Sequence, residues 1–386
     1  MINYGLSEYY QKAQDEFQAF TKKHINPFAD QWDREEIYPQ TIIEALAEAG
    51  YLGATVSENY GGSAMDPITF GLLCEELGKS SFSLISLLTV HSMVCQAITK
   101  WGSSKQKEYW LPKLASGKTL GAFALSEPDI GSDPNSVETT VSPEAENYLL
   151  NGKKKWISCG QIADLFLVFA KCEGSLTAFL LTRHTPGFKI KPIHGMYGFR
   201  SAMLAELSFD NCPVSKEDII GKIGFGFSHI GNTALDHGRY CIAWGCVGLG
   251  QACLNASLSY ASQRKQFGVY LHKHQLIQQM IANMATNVRA ARALCLHAAY
   301  LKLCNEPNSI METSVAKYFS SQMALNAAND TVQIHGANGC SSDYPVQRYL
   351  RDAKITEIIE GSSQMQQIII SQYAYQNFLS SNRHKT

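Results

Sequence analysis

Tyr148-Leu149-Leu150-Asn151-Gly152-Lys153-Lys154-Lys155-Trp156-Ile157 is where the chain changes period. Before it, apolar residues recur every three or four positions; here they cluster in short runs on either side of an Asn-Gly pair. Asn-Gly tolerates the positive φ of a type I′ turn, so the stretch reads as a hairpin with arms at 148–150 and 155–157. Short apolar or alternating runs bounded by turn residues follow at 165–170, 178–181 and 205–209. Together they predict a small β-domain over residues 119–222.

The flanks are helical. Within 1–118, Tyr10, Ala13, Phe17 and Phe20 share one face after a cap at Ser7. Ile42, Ile43, Leu46 and Ala49 repeat the pattern with Gly50 as a stop, and Asp66-Pro67 opens another helix with proline in its first turn. Within 223–386, Ile277, Ile281, Met284, Val288, Ala291 and Cys295 form one apolar stripe, and Ala316, Phe319, Met323 and Ala327 a second. Stripes at this spacing are bundle core. Gly248-Leu249-Gly250 follows no strand, so it reads as close helix packing rather than a dinucleotide fingerprint, and no NAD motif is present. The fold class is therefore α+β, mostly α, in three blocks.

Composition excludes several functions. Hydrophobic residues at 45% and charged residues at 17% describe an ordinary folded protein, and a net charge of -1 offers no basic surface for nucleic acid. No apolar run approaches the ~20 residues of a membrane span, and Met1-Ile2-Asn3-Tyr4-Gly5 lacks the regions of a signal peptide, so a cytoplasmic protein is expected. The eleven cysteines are odd in number and never spaced Cys-x-x-Cys, which is reduced usage. His272-Lys273-His274 has no acidic or Cys partner nearby, so no metal site is expected.

Chemistry enters with Ile358-Ile359-Glu360-Gly361-Ser362-Ser363-Gln364. A carboxylate in an apolar run, released by glycine, fits a base in a dry pocket, where desolvation lifts its pKa toward the working range of a general base. The same residues also fit a helix C-terminus with an exposed glutamate. Four other segments stand outside the packing pattern. Ser126-Glu127-Pro128-Asp129-Ile130-Gly131-Ser132-Asp133 is a loop rich in hydroxyls and backbone N–H groups, able to hold a phosphate or a ring edge, or to be a solvated turn. Trp156-Ile157-Ser158 places an aromatic plane beside a hydroxyl. Arg264-Lys265-Gln266-Phe267-Gly268 carries a guanidinium suited to a pyrophosphate. Gln333-Ile334-His335-Gly336 closes a helix with room for close approach.

In this order and at these spacings the five segments resemble the acyl-CoA dehydrogenase family over essentially the whole chain. The resemblance implies an N-terminal helical domain (1–118), a middle β-domain (119–222) and a C-terminal four-helix bundle (223–386). It implies FAD as cofactor, with Phe123, Leu125 and Ser126 along the flavin ring and Ser132 near its phosphates or the substrate's pantetheine arm. Trp156 and Ser158 would cover the ring near N5. Arg264, Phe267, Gln275, Gln333 and Gly336 would hold the pyrophosphate and adenine across a subunit boundary in a homodimer or homotetramer, and Ser362 and Gln364 would complete the site. Asp236, Arg239 and Gly361 match substrate-binding positions. Glu360 would abstract the α-proton while the β-hydrogen leaves as hydride to flavin N5.

Some family members carry the base immediately before the arginine of Leu235-Asp236-His237-Gly238-Arg239; here that position is glycine, which leaves Glu360 without a rival. A related flavin monooxygenase branch lacks the glutamate altogether. Ala243-Trp244-Gly245-Cys246-Val247-Gly248, Asp352-Ala353-Lys354 and the Glu360 run further resemble the subgroup of polyketide and nonribosomal pathways, which oxidises three-carbon hydroxyacyl or aminoacyl units on an acyl carrier protein. The alternatives are a catabolic short-chain acyl-CoA dehydrogenase and an inactive flavin-binding scaffold. Electron-transfer flavoprotein or oxygen would accept the electrons.

Overall fold

The structure, a computed structural model, describes residues 6–144 and 146–383. Six helices come first: α1 (Glu8–His24), α2 (Ala29–Glu35), α3 (Gln40–Glu48), α4 (Pro67–Ser80), α5 (Phe82–Trp101) and α6 (Ser104–Ala115). Local chemistry sets their ends. The Asp66 carboxylate accepts the N–H groups of Ile68 and Thr69, with Pro67 in the first turn of α4. Ser103 and Gln106 close a capping box on α6. Ser7 does precede α1, but its side chain makes no capping bond.

A single sheet follows, built from β1 (Gly121–Ala124), β2 (Thr140–Glu144), β3 (Asn147–Ile157), β4 (Leu165–Cys172), β5 (Ser175–Thr182), β6 (Phe188–Pro192), β7 (Ala205–Val214) and β8 (Ile219–Ile220). The strand order is β6-β7-β3-β2-β4-β5-β8, with β1 parallel to β4. Asn151-Gly152 is not the hairpin turn expected from its sequence. β3 runs straight through it, pairing on one side with β2 and on the other with β7. Gly152 instead sits at a bulge, where the register to β7 slips between Leu150 and Gly152, and takes φ +144° with its Cα face against Thr139. The positive φ that the Asn-Gly pair permits serves this bulge rather than a turn, and β3 gains a strand partner on each side by running through it.

The C-terminal part contains α7 (Asn232–Gln263), a small ribbon β9 (Lys265–Gln266) and β10 (Val269–Tyr270), α8 (Gln275–Leu303), α9 (Ser309–His335), α10 (Val346–Thr356) and α11 (Ser363–Arg383). α5, and the helical stretch Gly226–Gln263 that includes α7, are long and apolar enough to cross a bilayer, contrary to the reading that no such run exists. Each is sheathed by other helices, with 89% and 78% of its apolar window buried, which accounts for the composition without a membrane.

The crossing of α4 and α7 sets how tightly the first and last blocks meet. A Cβ on Gly78 would lie 2.4 Å from the Gly245 carbonyl oxygen, and one on Gly248 would lie 1.9 Å from the Glu75 carbonyl oxygen. Trp244, fully buried, covers Gly71 in the same seam. Close helix packing is thus the role of Gly248. Gly248→Ala must push two backbones apart and should cost ~1–3 kcal/mol or more. Gly250→Ala would meet mainly the flexible end of Met323 and should cost less. Thermal unfolding of the two variants checks the order; equal midpoints would contradict it.

Candidate active site

Beyond α10 the chain turns through Glu357 to Ser363, with the Ser363 N–H on the Glu357 carbonyl at 2.8 Å. Glu360 and Gly361 both adopt left-handed φ, +54° and +84°, a conformation that costs a non-glycine residue on the order of 1–3 kcal/mol. Side chains from three helices hold it there. Arg239 of α7 donates Nε to the Glu360 carbonyl (3.2 Å), Gln366 of α11 donates to the Glu360 and Gly361 carbonyls (3.2 and 3.1 Å), and Lys317 of α9 donates to the Gly361 carbonyl (2.9 Å).

The exposed-glutamate alternative fails on this geometry. The Glu360 carboxylate lies directly over Gly238, where a Cβ would stand 2.2 Å from Oε2 and 3.0 Å from Met93 Sδ. Oε2 is closed to solvent and has no hydrogen-bond partner. Burial raises the Glu360 carboxyl to about 7, with the Arg239 guanidinium opposing the rise. No partner for the Glu360 N–H occurs among the described residues. A carboxylate with one oxygen closed to solvent and unpartnered, beside a backbone donor with no partner among the described residues, can take a proton from carbon and stabilise the oxyanion that results.

A second group gathers at the mouth of the sheet. The Lys155 N–H donates to the Ser126 carbonyl at 3.0 Å, which brings the loop carrying Phe123, Leu125 and Ser126 against the strand carrying Trp156 and Ser158. Trp156 breaks the strand's alternation with φ +65°, and its indole stays 47% exposed. Ser158 accepts from Ser86 of α5 at 3.2 Å. Ser132 lies exposed on the outer part of the loop. Ser362 accepts the Met365 N–H (3.3 Å) at the start of α11, and Gln364 is exposed one turn from Glu360.

Sequence reading missed what fixes this loop. Lys154 is wholly buried and donates to the Leu125 carbonyl (3.0 Å) and to Glu127 (2.7 Å), while Glu127 also accepts the N–H groups of Glu138 and Thr139. Among three consecutive lysines nothing in the sequence marks the middle one; the alternation of β3 around its bulge is what turns it inward.

A third group lies elsewhere. Arg264, Phe267 and Gln275 sit on and beside the β9–β10 ribbon, and Gln333 and Gly336 end α9. Tyr260 ties them together, stacking on His335 (4.2 Å) and accepting from Asn338 (2.9 Å). Arg264 is 26 residues beyond Gly238 along α7, about 39 Å at 1.5 Å per residue. One chain therefore does not bring this group to its own Glu360. Of the expected substrate contacts, Arg239 bonds the base loop, and Asp236 pairs with Lys302 at 2.5 Å while its Oδ1 stays buried and unpartnered.

Known proteins share this fold over nearly the whole chain. The N-terminal, middle and C-terminal domain models of acyl-CoA dehydrogenase match residues 7–118, 122–212 and 224–374. The chain is 39% identical to an acyl-CoA dehydrogenase of Bacillus subtilis over 92% of its own length and 94% of that protein. It superposes on butyryl-CoA dehydrogenase from Megasphaera elsdenii with a TM-score of 0.92 at 33% identity, covering 97% and 100% of the two chains. The prolyl acyl carrier protein oxidase AnaB gives 0.91 at 30% identity over 96% and 99%. FkbI, of methoxymalonyl extender-unit biosynthesis, gives 0.85 at 28% identity over 94% and 99%. The chain belongs to the acyl-CoA dehydrogenase family, FAD-dependent oxidoreductases acting on CH–CH bonds.

The residues fit that cofactor. An exposed indole on the strand that also carries Ser158, next to the loop of Ser126, suits a planar ring edge, and Arg264 near Phe267, which is 96% exposed, suits a diphosphate and a heterocycle. Because Gly238 makes the room that Glu360 fills, Gly238→Ala should keep FAD but displace the carboxylate, slowing flavin reduction ~10²-fold. Stopped-flow bleaching at constant flavin content checks this; an unchanged rate would show that the carboxylate does not need that space.

Proposed function

We propose that the protein dehydrogenates a short acyl thioester, with Glu360 as the base that removes the α-proton. The observation that carries this reading is the unpartnered, solvent-closed Oε2 of Glu360 over Gly238. FAD, when bound, supplies the two-electron acceptor. Phe123, Leu125, Ser126, Trp156 and Ser158 orient its ring, and Ser132, Ser362 and Gln364 complete the near end of the site. The Glu360 N–H donates to the thioester carbonyl and favours the enolate as the proton leaves. Asp236, Arg239 and Gly361 shape the thioester's approach. Arg264, Phe267, Gln275, Gln333 and Gly336 reach the far end of the cofactor of a second subunit, which the ~39 Å separation along α7 supports; the assembly is a homodimer or homotetramer.

The finer reading is a three-carbon hydroxyacyl or aminoacyl unit on an acyl carrier protein, supported by similarity to AnaB and FkbI. Similarity to butyryl-CoA dehydrogenase supports a CoA-linked short-chain reading instead. A chain with a TM-score of 0.92 and 36% identity, solved in work on the electron transferring flavoprotein of Acidaminococcus fermentans, supports such a flavoprotein as electron acceptor. Carrier-bound and CoA-bound forms of one acyl group separate the readings: the carrier form should have the higher kcat/KM, and equal values return the protein to CoA chemistry.

Glu360→Gln should bind FAD and thioester yet lose ~10²–10⁴-fold in flavin reduction. In the wild type the rate should rise with pH through about 7, as the base loses its proton. The same shift has a stability sign. With its folded pKa above the unfolded one, the Glu360 contribution is present at low pH and lost as pH rises toward about 7. At pH 8 Glu360→Gln should therefore be no less stable than wild type; a lower melting temperature there would mean the carboxylate is a structural ion rather than a base kept charged against its burial.

A further inference from the structure

Lys317 is the most buried cation of the C-terminal helices, 0% exposed on α9. Among the described residues it makes no salt bridge; its ammonium donates to the Gly361 carbonyl. Burying a charge on a neutral acceptor is unfavourable, so the residue has no account in the packing of the bundle. Its surroundings give one. The charged and titratable groups facing it are Arg239 and Cys246 from α7, and Glu357 and Glu360 from the turn after α10. Glu357 already pairs with Lys354 at 2.8 Å. Glu360 in turn faces Arg239, His237 and Cys241 from α7 and Lys317 from α9. Two cations thus bracket the base, one behind each of its loop carbonyls.

We infer that Lys317 is a positioning residue for the base: fixed on the Gly361 carbonyl, it holds the left-handed turn in place and keeps a positive charge behind the carboxylate. The inference rests on the reading of Glu360 as base and names what keeps that base usable. The second carbonyl of a strained turn receives a charge-assisted bond, stronger than the amide bond that Gln366 supplies there. The charge also offsets part of the desolvation that drives the carboxyl up. Burial lowers the Lys317 ammonium to about 8, so it remains cationic at neutral pH.

Lys317→Met removes bond and charge in a similar volume, and Lys317→Gln keeps a donor but no charge. Lys317→Arg keeps the charge. The FAD-loaded variants are titrated twice: by infrared difference spectroscopy of the protonated carboxyl band, assigned by its loss in Glu360→Gln, and by the pH dependence of flavin reduction. Both midpoints should rise by ~1 unit or more in the Met and Gln variants, lowering the rate at pH 7 about fivefold or more while the rate at high pH in the Gln variant stays near wild type. Lys317→Arg should move both back toward wild type. If the Met variant loses FAD, the Gln variant carries the test. Midpoints unchanged in Lys317→Gln would overturn the inference. Flavin reduction that keeps its wild-type rate in Glu360→Gln would overturn the base reading itself.

Discussion

A carboxylate taken out of water seeks a partner, and around Glu360 the fold withholds one from Oε2. Everything near the site serves that constraint. α7 has no side chain at 238, so the carboxylate can lie on the helix backbone. The cations near it spend their hydrogen bonds on the carbonyls of residues 360 and 361 instead of on the carboxylate. The charge is therefore stabilised at a distance but left unneutralised, which keeps its proton affinity near the working range. A direct ion pair would have lowered that affinity.

The constraint reaches into the fold through α7. It carries Gly238 and Arg239 near one end, meets α4 through Gly245 and Gly248 in its middle, and leads to Arg264 at the other. A helix that is approached closely by another backbone and by a carboxylate is rich in glycine and apolar all round, which is why it mimics a membrane span in composition. Gly238 and Arg264 are 26 residues apart on and at the end of this helix, about 39 Å at 1.5 Å per residue, so the two ends of α7 stand at different places in the molecule.

Much of this was legible in the sequence where the signal is local. Pro67 after Asp66 and the stripe from Ile277 to Cys295 each state a structural demand in their own neighbourhood, and the structure meets both; the glycine before Arg239 read only as the absence of a second carboxylate, and the space it leaves for Glu360 came from the fold. Gly152 was legible only in part, because positive φ serves a bulge as well as a turn and the choice lies with β7, sixty residues away. Lys154, Lys317 and Gln366 were not legible at all. Their roles depend on which carbonyl the tertiary fold brings to them, and neither composition nor spacing encodes that.

Proton removal by one carboxylate is isolated by an acyl thioester with no β-hydrogen, which cannot be oxidised. Exchange of its α-hydrogens with solvent deuterium, followed by proton NMR in the presence of FAD-loaded enzyme, should be rapid in the wild type and lost in Glu360→Gln. Exchange that continues at the wild-type rate in Glu360→Gln would place the base elsewhere.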